Sequence, residues 1–155
     1  MLVTIAAAMK LSAEDYVDGA AERIAAAHAM YTNARFPEAL YFAGVAVECV
    51  LRAFAYEETN EFDGRHDLAR LAKAATLERF VGEQKRQEIS VALGEVWARW
   101  KNNYRYAPDQ RLRGEIKRLQ LDRGIKGDTL KENARVALEN ATLIVNKGTF
   151  QWKKK

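Results

Sequence analysis

One long and almost uniformly apolar stretch dominates the sequence, running from Pro37 to Glu58 and reading PEALYFAGVAVECVLRAFAYEE. Drawn as a helix, it is apolar on nearly every side, which is typical of a helix buried by neighbours on several faces. Proline is favoured in the first turn of a helix, where its missing N–H costs nothing, so Pro37 suits the start. The stretch therefore predicts a central helix around which the other elements pack.

Two charged residues interrupt this helix, Glu48 and Arg52. Their i,i+4 spacing places them one above the other on a helical face, where they can pair. Tyr41, Gly44 and Ala55 extend the same face. One interpretation is a structural ion pair at the edge of the core, with long side chains reaching toward water. The other is a polar pocket inside the bundle, because charges are rarely kept there without a partner or a use.

Composition limits the fold class. The chain has 155 residues, 48% of them hydrophobic, and only two prolines, as expected for one globular domain with a sizeable core. No segment alternates β-branched and polar residues in the manner of a strand, so we expect an all-α fold: an antiparallel four-helix-type bundle with additional short helices. The bundle is expected over residues 12–147, with residues 1–11 and 148–155 as terminal extensions.

The single cysteine, Cys49, and two histidines offer neither a disulfide within the chain nor a usual zinc site. We therefore expect a cytoplasmic protein without a metal or other cofactor. The apolar segment Met1–Met9 lacks the flanks of a signal peptide and is too short to cross a bilayer. No other run is expected to reach that length, so no membrane association is predicted. Either Met1 or Met9 could be the native start.

Apolar residues at helical spacing predict further helices on both sides of the central one. Ser12 and Asp15 form a capping pair at the start of the first, Asp67 and Asp128 cap later ones, and Lys147-Gly148 is expected to close the last. The expected ranges are 12–33, 67–75, 83–104, 112–119 and 128–147. Three aromatic residues of the 83–104 helix, Trp97, Trp100 and Tyr104, are read as core or dimer-interface residues rather than base-stacking platforms.

Basic residues concentrate between Arg111 and Lys126. Six basic residues stand there against two acidic ones, a local excess of four that equals the net charge of +4 of the whole chain. One interpretation is a solvated helix face, and the other is a patch that contacts phosphates. The nucleic-acid-binding candidates in this stretch are Arg111, Arg113, Lys117, Arg118 and Arg123.

Three short patterns follow one another along the chain: Ala43-Gly44-Val45-Ala46-Val47-Glu48 with Arg52, then His66-Asp67-Leu68, then Arg105-Tyr106-Ala107-Pro108. In their order and spacing the chain resembles HEPN domains, which are small helical bundles, over about residues 12–147. One branch of that family reads roughly A-G-x-A-x-E-x-x-L-K-A, followed by His-Asp-Leu and Arg-Tyr. Arg52 departs from the usual lysine, and one extra residue separates Tyr106 from Pro108.

The landmark residues come from three separate elements, which in a four-helix bundle can converge on one inner pocket. We expect them to bind a ligand there: Glu48, Arg52, His66, Asp67, Arg105 and Tyr106. For His66, the alternative is a structural role that ties its loop to the bundle by hydrogen bonds.

The resemblance implies metal-independent ribonuclease activity for many HEPN proteins, through an Arg-polar-x₃₋₄-His motif late in the chain. Here the corresponding segment, Lys101 to Tyr106, contains no histidine. The string Arg23 to His28 matches the spacing, but its two side chains lie about 140° apart on a helix, so His28 is read as a buried, hydrogen-bonded residue. No catalytic residue is expected.

We therefore expect a non-catalytic module that binds a nucleotide or nucleic acid. The resemblance also implies a homodimer and a minimal nucleotidyltransferase as partner, in a toxin–antitoxin or defence setting. Two alternatives stay open: a ribonuclease toxin with an atypical site, and a purely helical interaction subunit.

Overall fold

The computed structural model describes residues 9–59, 71 and 81–154. Within these ranges the chain is an all-α bundle, so the predicted fold class is confirmed. Its helices are α1 (Ala13–Thr32), α2 (Phe36–Thr59), α3 (Arg86–Arg99), α4 (Asp109–Arg118) and α5 (Thr129–Trp152). Two short 3₁₀ helices, Glu83–Lys85 and Asn102–Tyr106, precede and follow α3. The short helix predicted after Asp67 lies outside the described residues except for Leu71, which is helical and buried.

Helix α1 begins at the predicted capping box. The Asp15 N–H donates to Ser12 Oγ at 3.1 Å, and the Ser12 N–H donates to the Asp15 carboxylate at 2.7 Å. These bonds satisfy N–H groups that no carbonyl within the helix can reach. The bond from the Ser12 backbone, followed by that to its hydroxyl, lowers the pKa of Asp15.

Helix α2 is the predicted central helix, one residue longer at each end, and it packs against α1 and α5. By length and composition its Phe36–Glu57 segment could cross a membrane, with a mean hydropathy of 1.5, so the expectation that no further run reaches that length was wrong. However, 72% of this apolar window is buried inside the bundle. Burial by neighbouring helices accounts for its apolar character without a membrane.

Helix α3 ends at Arg99, well before the predicted end at Tyr104. Trp100 adopts an extended backbone, with φ −120° and ψ 135°, and its side chain is 1% exposed. The continuous helix was predicted from spacing alone, whereas burial of this large ring requires the backbone to leave helical geometry here. The prediction was therefore wrong, and residues 102–106 form a separate 3₁₀ helix.

Helix α5 is capped by Asp128 as predicted, but it continues past Lys147-Gly148 to Trp152. The Trp152 ring packs edge-on against Phe54 at 5.1 Å between centroids, and its N–H donates to Glu14 at 2.9 Å. These contacts with α1 and α2 hold the last turns of α5 in place. The predicted end was wrong because Gly148 is buried within the helix rather than closing it.

A small second core fixes the position of α4. Leu112 and Ile116 lie four positions apart on one helical face, and both are buried. They join a cluster contributed by α2 and α5 as well as α4, whose buried members are Leu40, Leu112, Ile116, Leu130, Ala134 and Ala137. The basic residues of α4 are thereby held at the surface.

Candidate nucleic-acid interface

The two charges of α2 form the ion pair that their spacing predicts. Arg52 Nη2 donates to Glu48 Oε1 at 3.1 Å, and each residue is 7% exposed. The side chains therefore lie within the core, not at its edge reaching toward water. Removing one partner of a buried pair leaves an uncompensated charge, so the pairing itself matters strongly for stability.

The other predicted members of the pocket lie in different surroundings. Arg105 and Tyr106 are on the surface, where the Arg105 guanidinium lies 4.6 Å from the centroid of the Tyr106 ring, which is 74% exposed. His66 and Asp67 lie outside the described residues. Of the four described members, two are buried together and two are exposed together.

The segment that carries Arg105 is anchored to α2 by Trp100. The Trp100 indole N–H donates to the Tyr41 carbonyl at 3.0 Å. Its ring also fills the space beside Gly44, where an added Cβ would come within 2.2 Å of ring atoms. Because this anchor immediately precedes the 3₁₀ helix Asn102–Tyr106, that helix is held close to α2.

The basic residues of α4 do not share one face. With about 100° of rotation per residue, Arg111 and Arg118 lie about 20° apart on one flank, since seven positions separate them. Arg113 and Lys117, four positions apart, occupy the other flank. Arg123 and Lys126 are exposed in the loop that follows.

Arg113 is engaged in structural ion pairs. Its Nε donates to Asp109 at 2.5 Å, and its two terminal nitrogens donate to the Asp128 carboxylate at 2.8 and 3.3 Å. Asp128 also caps α5 by accepting from the backbone N–H groups of Leu130 and Lys131, each at 3.0 Å. These bonds, first of all those from Arg113, lower the pKa of Asp128. The arrangement favours a role for Arg113 in joining α4 to α5.

An open depression of about 350 Å³ borders the other flank of α4. Lys101 and Arg111 contribute two cations to its lining, and Glu115 contributes one carboxylate. Glu115 is paired with Arg118, and this hydrogen bond is the main cause that lowers the pKa of Glu115, with smaller contributions from Lys101 and Arg111. The carboxylate is thus neutralised by its own partner, and the depression keeps a positive character suited to a phosphate group.

Exposed aromatic rings accompany these cations. Besides the Arg105–Tyr106 pair, Lys101 lies 5.0 Å from the centroid of the Trp97 ring, and Trp97 is 48% exposed. The prediction of a core position is confirmed for Trp100, and Tyr104 is partly buried against the second core. We call the following residues the basic edge: Lys101, Tyr104, Arg105, Tyr106, Arg111 and Arg118.

The two residues that could imitate a ribonuclease motif are apart. His28 is exposed and shares a hydrogen bond of 2.9 Å with Thr142 Oγ1. The predicted hydrogen bond is confirmed, but the predicted burial was wrong, because the buried stripe of α1 runs beside His28 through Ala20, Ile24 and Ala27. Arg23 pairs instead with Glu22 at 3.7 Å.

Burial raises the pKa of the Cys49 thiol to about 11. The residue is therefore a protonated thiol near neutral pH and not the thiolate required of a nucleophile or metal ligand. Within the described ranges, no group of three His, Cys, Asp or Glu residues is arranged to hold a metal ion.

Lys101 and Tyr104 were missed as surface residues beside the basic stretch, because both were assigned to one continuous helix. A usable signal was present in the run Lys101 to Tyr106, which mixes basic, amide and aromatic residues immediately before Pro108. Such mixtures are common where proteins contact single-stranded nucleic acid.

A family model of the HEPN domain matches residues 13–149, which include α1 to α4 and most of α5. No curated protein and no solved structure matches the chain. The matched range contains both the buried Glu48–Arg52 pair and the whole basic edge.

Proposed function

Because this chain belongs to the HEPN domain family, and is therefore a nucleic-acid-related module, we propose that it binds single-stranded RNA at the basic edge without cleaving it. The observation that carries this proposal is the positive depression beside Lys101 and Arg111, next to the exposed ring of Tyr106. Cations hold the phosphate backbone, and exposed rings stack on unpaired bases, which is how single strands are bound without strong sequence preference.

Binding without cleavage follows from the residues at this surface. Metal-independent cleavage of RNA needs a group that takes a proton from the 2′-OH and another that gives one to the leaving oxygen. The chain has two histidines, His28 and His66, and neither belongs to the basic edge. Tyr104 does not replace them as a base, because burial raises the pKa of its hydroxyl and keeps it protonated near neutral pH.

The location is tested by neutralising two equal sets of charges. Lys101→Gln/Arg105→Gln/Arg111→Gln removes three cations of the basic edge, and Lys117→Gln/Arg123→Gln/Lys126→Gln removes three exposed cations elsewhere. Fluorescence anisotropy with a labelled single-stranded RNA at low salt is expected to show a loss of about 10- to 100-fold in affinity for the first variant. The second variant should lose less than about threefold. Equal losses would contradict the location, and no binding by the unmodified protein would leave the interaction-subunit alternative.

The proposal includes a homodimer formed through the outer face of α3. The inner face of this helix is buried through Ile89, Ala92, Leu93 and Val96. On the outer side Val91 is 57% exposed and Trp97 is 48% exposed, with Gly94 and Ala98 also exposed. An apolar helix face with small residues allows close approach of a second helix.

A nucleotidyltransferase partner is the remaining part of the proposal, and it rests on the resemblance alone. Co-purification with the product of the neighbouring open reading frame would support it. A neighbouring frame of unrelated chemistry, or none, would contradict it.

A further inference from the structure

A second basic surface lies where the end of α5 meets the 3₁₀ helix Glu83–Lys85. An open depression of about 380 Å³ separates the two elements. The 3₁₀ helix contributes Gln84 and Lys85 to its lining, and α5 contributes Lys147, Phe150, Gln151 and Lys154. None of these residues belongs to the basic edge.

The four residues from α5 share one face of the helix. Lys147, Phe150, Gln151 and Lys154 stand at positions i, i+3, i+4 and i+7, which fall on a single helical stripe. Trp152, on the opposite side, is buried against Phe54 and keeps this stripe turned outward. Phe150 is 58% exposed, and Lys154 Nζ lies 4.3 Å from the centroid of its ring.

The charges around this depression are unbalanced. Three lysines line it against one carboxylate, that of Glu83. Lys85 and Lys147 are close enough to hydrogen-bond, and this contact is the main cause that lowers the pKa of Lys147. The dipole of α5 does not explain the position of Lys147, because its effect is confined to the last turn. Two ammonium groups held side by side repel each other unless an anion lies between them.

We propose that this depression binds the phosphate groups of a nucleotide between Lys85, Lys147 and Lys154, with the base stacked on Phe150. The volume falls in the range of small-ligand pockets, about 300–1,000 Å³. An exposed aromatic face stacks on any base. The side-chain amides of Gln84 and Gln151 supply both donors and acceptors for a base edge or a ribose hydroxyl.

The same chemistry could come from a free nucleotide or from the phosphorylated 5′ end of an RNA chain. We therefore measure calorimetric binding of ATP, of tripolyphosphate, and of two short RNAs that differ only in a 5′-triphosphate. Preferential binding of the 5′-triphosphate RNA over ATP identifies the RNA end as the source, and the reverse order identifies a free nucleotide. Either result supports the proposal.

Two variants assign the roles within the site. Lys85→Gln/Lys147→Gln should weaken both ATP and tripolyphosphate by about tenfold per lysine, since each loses a charge-assisted hydrogen bond. Lys126→Gln/Lys131→Gln, with the same change in net charge, should leave both affinities within about twofold. Phe150→Leu should weaken ATP several-fold but leave tripolyphosphate unchanged, because only ATP carries a base.

Three outcomes would overturn the proposal. The first is no binding of ATP, tripolyphosphate or 5′-triphosphate RNA at low salt. The second is equal weakening by both lysine variants, which would show a general charge effect. The third is an equal effect of Phe150→Leu on ATP and tripolyphosphate. Circular dichroism of each variant confirms that these exposed substitutions leave the fold intact, so a loss of binding reports on the site.

Discussion

The indole of Trp100 occupies the space that Gly44 leaves by having no side chain. A Cβ on Gly44 would lie 2.2 Å from ring atoms of Trp100, far inside van der Waals contact. The same indole donates its N–H to the Tyr41 carbonyl at 3.0 Å. This contact ends α3 and connects the basic edge to the central helix.

Gly44→Ala is therefore expected to destabilise the protein, although alanine favours helices. The ring must move away from α2, and overpacking of this kind costs about 1–3 kcal/mol. The matched control is Gly94→Ala in α3, where an added Cβ meets nothing within 4 Å and helix propensity should stabilise by up to about 1 kcal/mol. Urea unfolding measures both changes. Stabilisation by Gly44→Ala would contradict the contact described above.

The buried pair gives a second prediction. Glu48→Leu leaves the Arg52 charge in the core and should reduce the free energy of unfolding by about 3–5 kcal/mol. Glu48→Leu/Arg52→Leu removes both charges and should recover most of that loss. The exposed pair Arg35–Glu38, joined at 3.0 Å, serves as the control, because Glu38→Leu should cost less than about 1 kcal/mol. Additive effects of the two α2 substitutions would show that the pair does not act as a unit.

A third prediction concerns acid stability. Since the hydrogen bonds from Arg113 lower the pKa of Asp128 in the folded protein, this carboxylate stabilises the fold above its unfolded pKa, and the contribution disappears as the pH falls through the folded value. Asp128→Asn keeps a capping oxygen but lacks the charge. It should be less stable than the unmodified protein at pH 7, by less than about 1 kcal/mol because the pair is largely exposed.

The difference should shrink as the pH drops below about 4, the ordinary pKa of an aspartate. Unfolding by urea at a series of pH values measures it. A difference that stays constant down to pH 2 would show that the charge of Asp128 makes no contribution.

The fold was predictable where local signals and packing agree. The capping box at Ser12, the central helix and the cap at Asp128 follow from side-chain chemistry and apolar spacing, and all three are confirmed. The ends of α3 and α5 were not predictable in this way. Trp100 and Trp152 are placed by contacts with residues distant in the chain, Gly44 and Phe54. Spacing along one helix carries no information about such contacts.

The candidate surface was predictable only in part. The excess of basic residues after Arg111 identified the region, but a count of charges does not show that Arg113 pairs with Asp128 while Arg111 borders the depression. That distinction depends on which flank of α4 faces the bundle. Leu112 and Ile116 determine this by their burial in the second core.

The proposed dimer gives a fourth prediction. Val91→Glu places a charge on the exposed outer face of α3 and should convert the dimer to a monomer at micromolar concentrations, without loss of helix content. Glu88→Gln, an exposed substitution one turn earlier on α3, serves as the control and should leave the mass unchanged. Light scattering measures both. A mass of one chain for the unmodified protein across this range would contradict the dimer.

The central claim, binding of RNA without cleavage, is tested most directly by following one labelled single-stranded RNA in one sample. Part of the mixture is run on a native gel to measure the complex, and part on a denaturing gel to measure the length of the RNA. We predict a retarded complex that contains full-length RNA after hours of incubation, and no complex with Lys101→Gln/Arg105→Gln/Arg111→Gln. Shortened RNA, produced at a rate that His66→Ala abolishes and His28→Ala does not, would contradict the account and identify a ribonuclease.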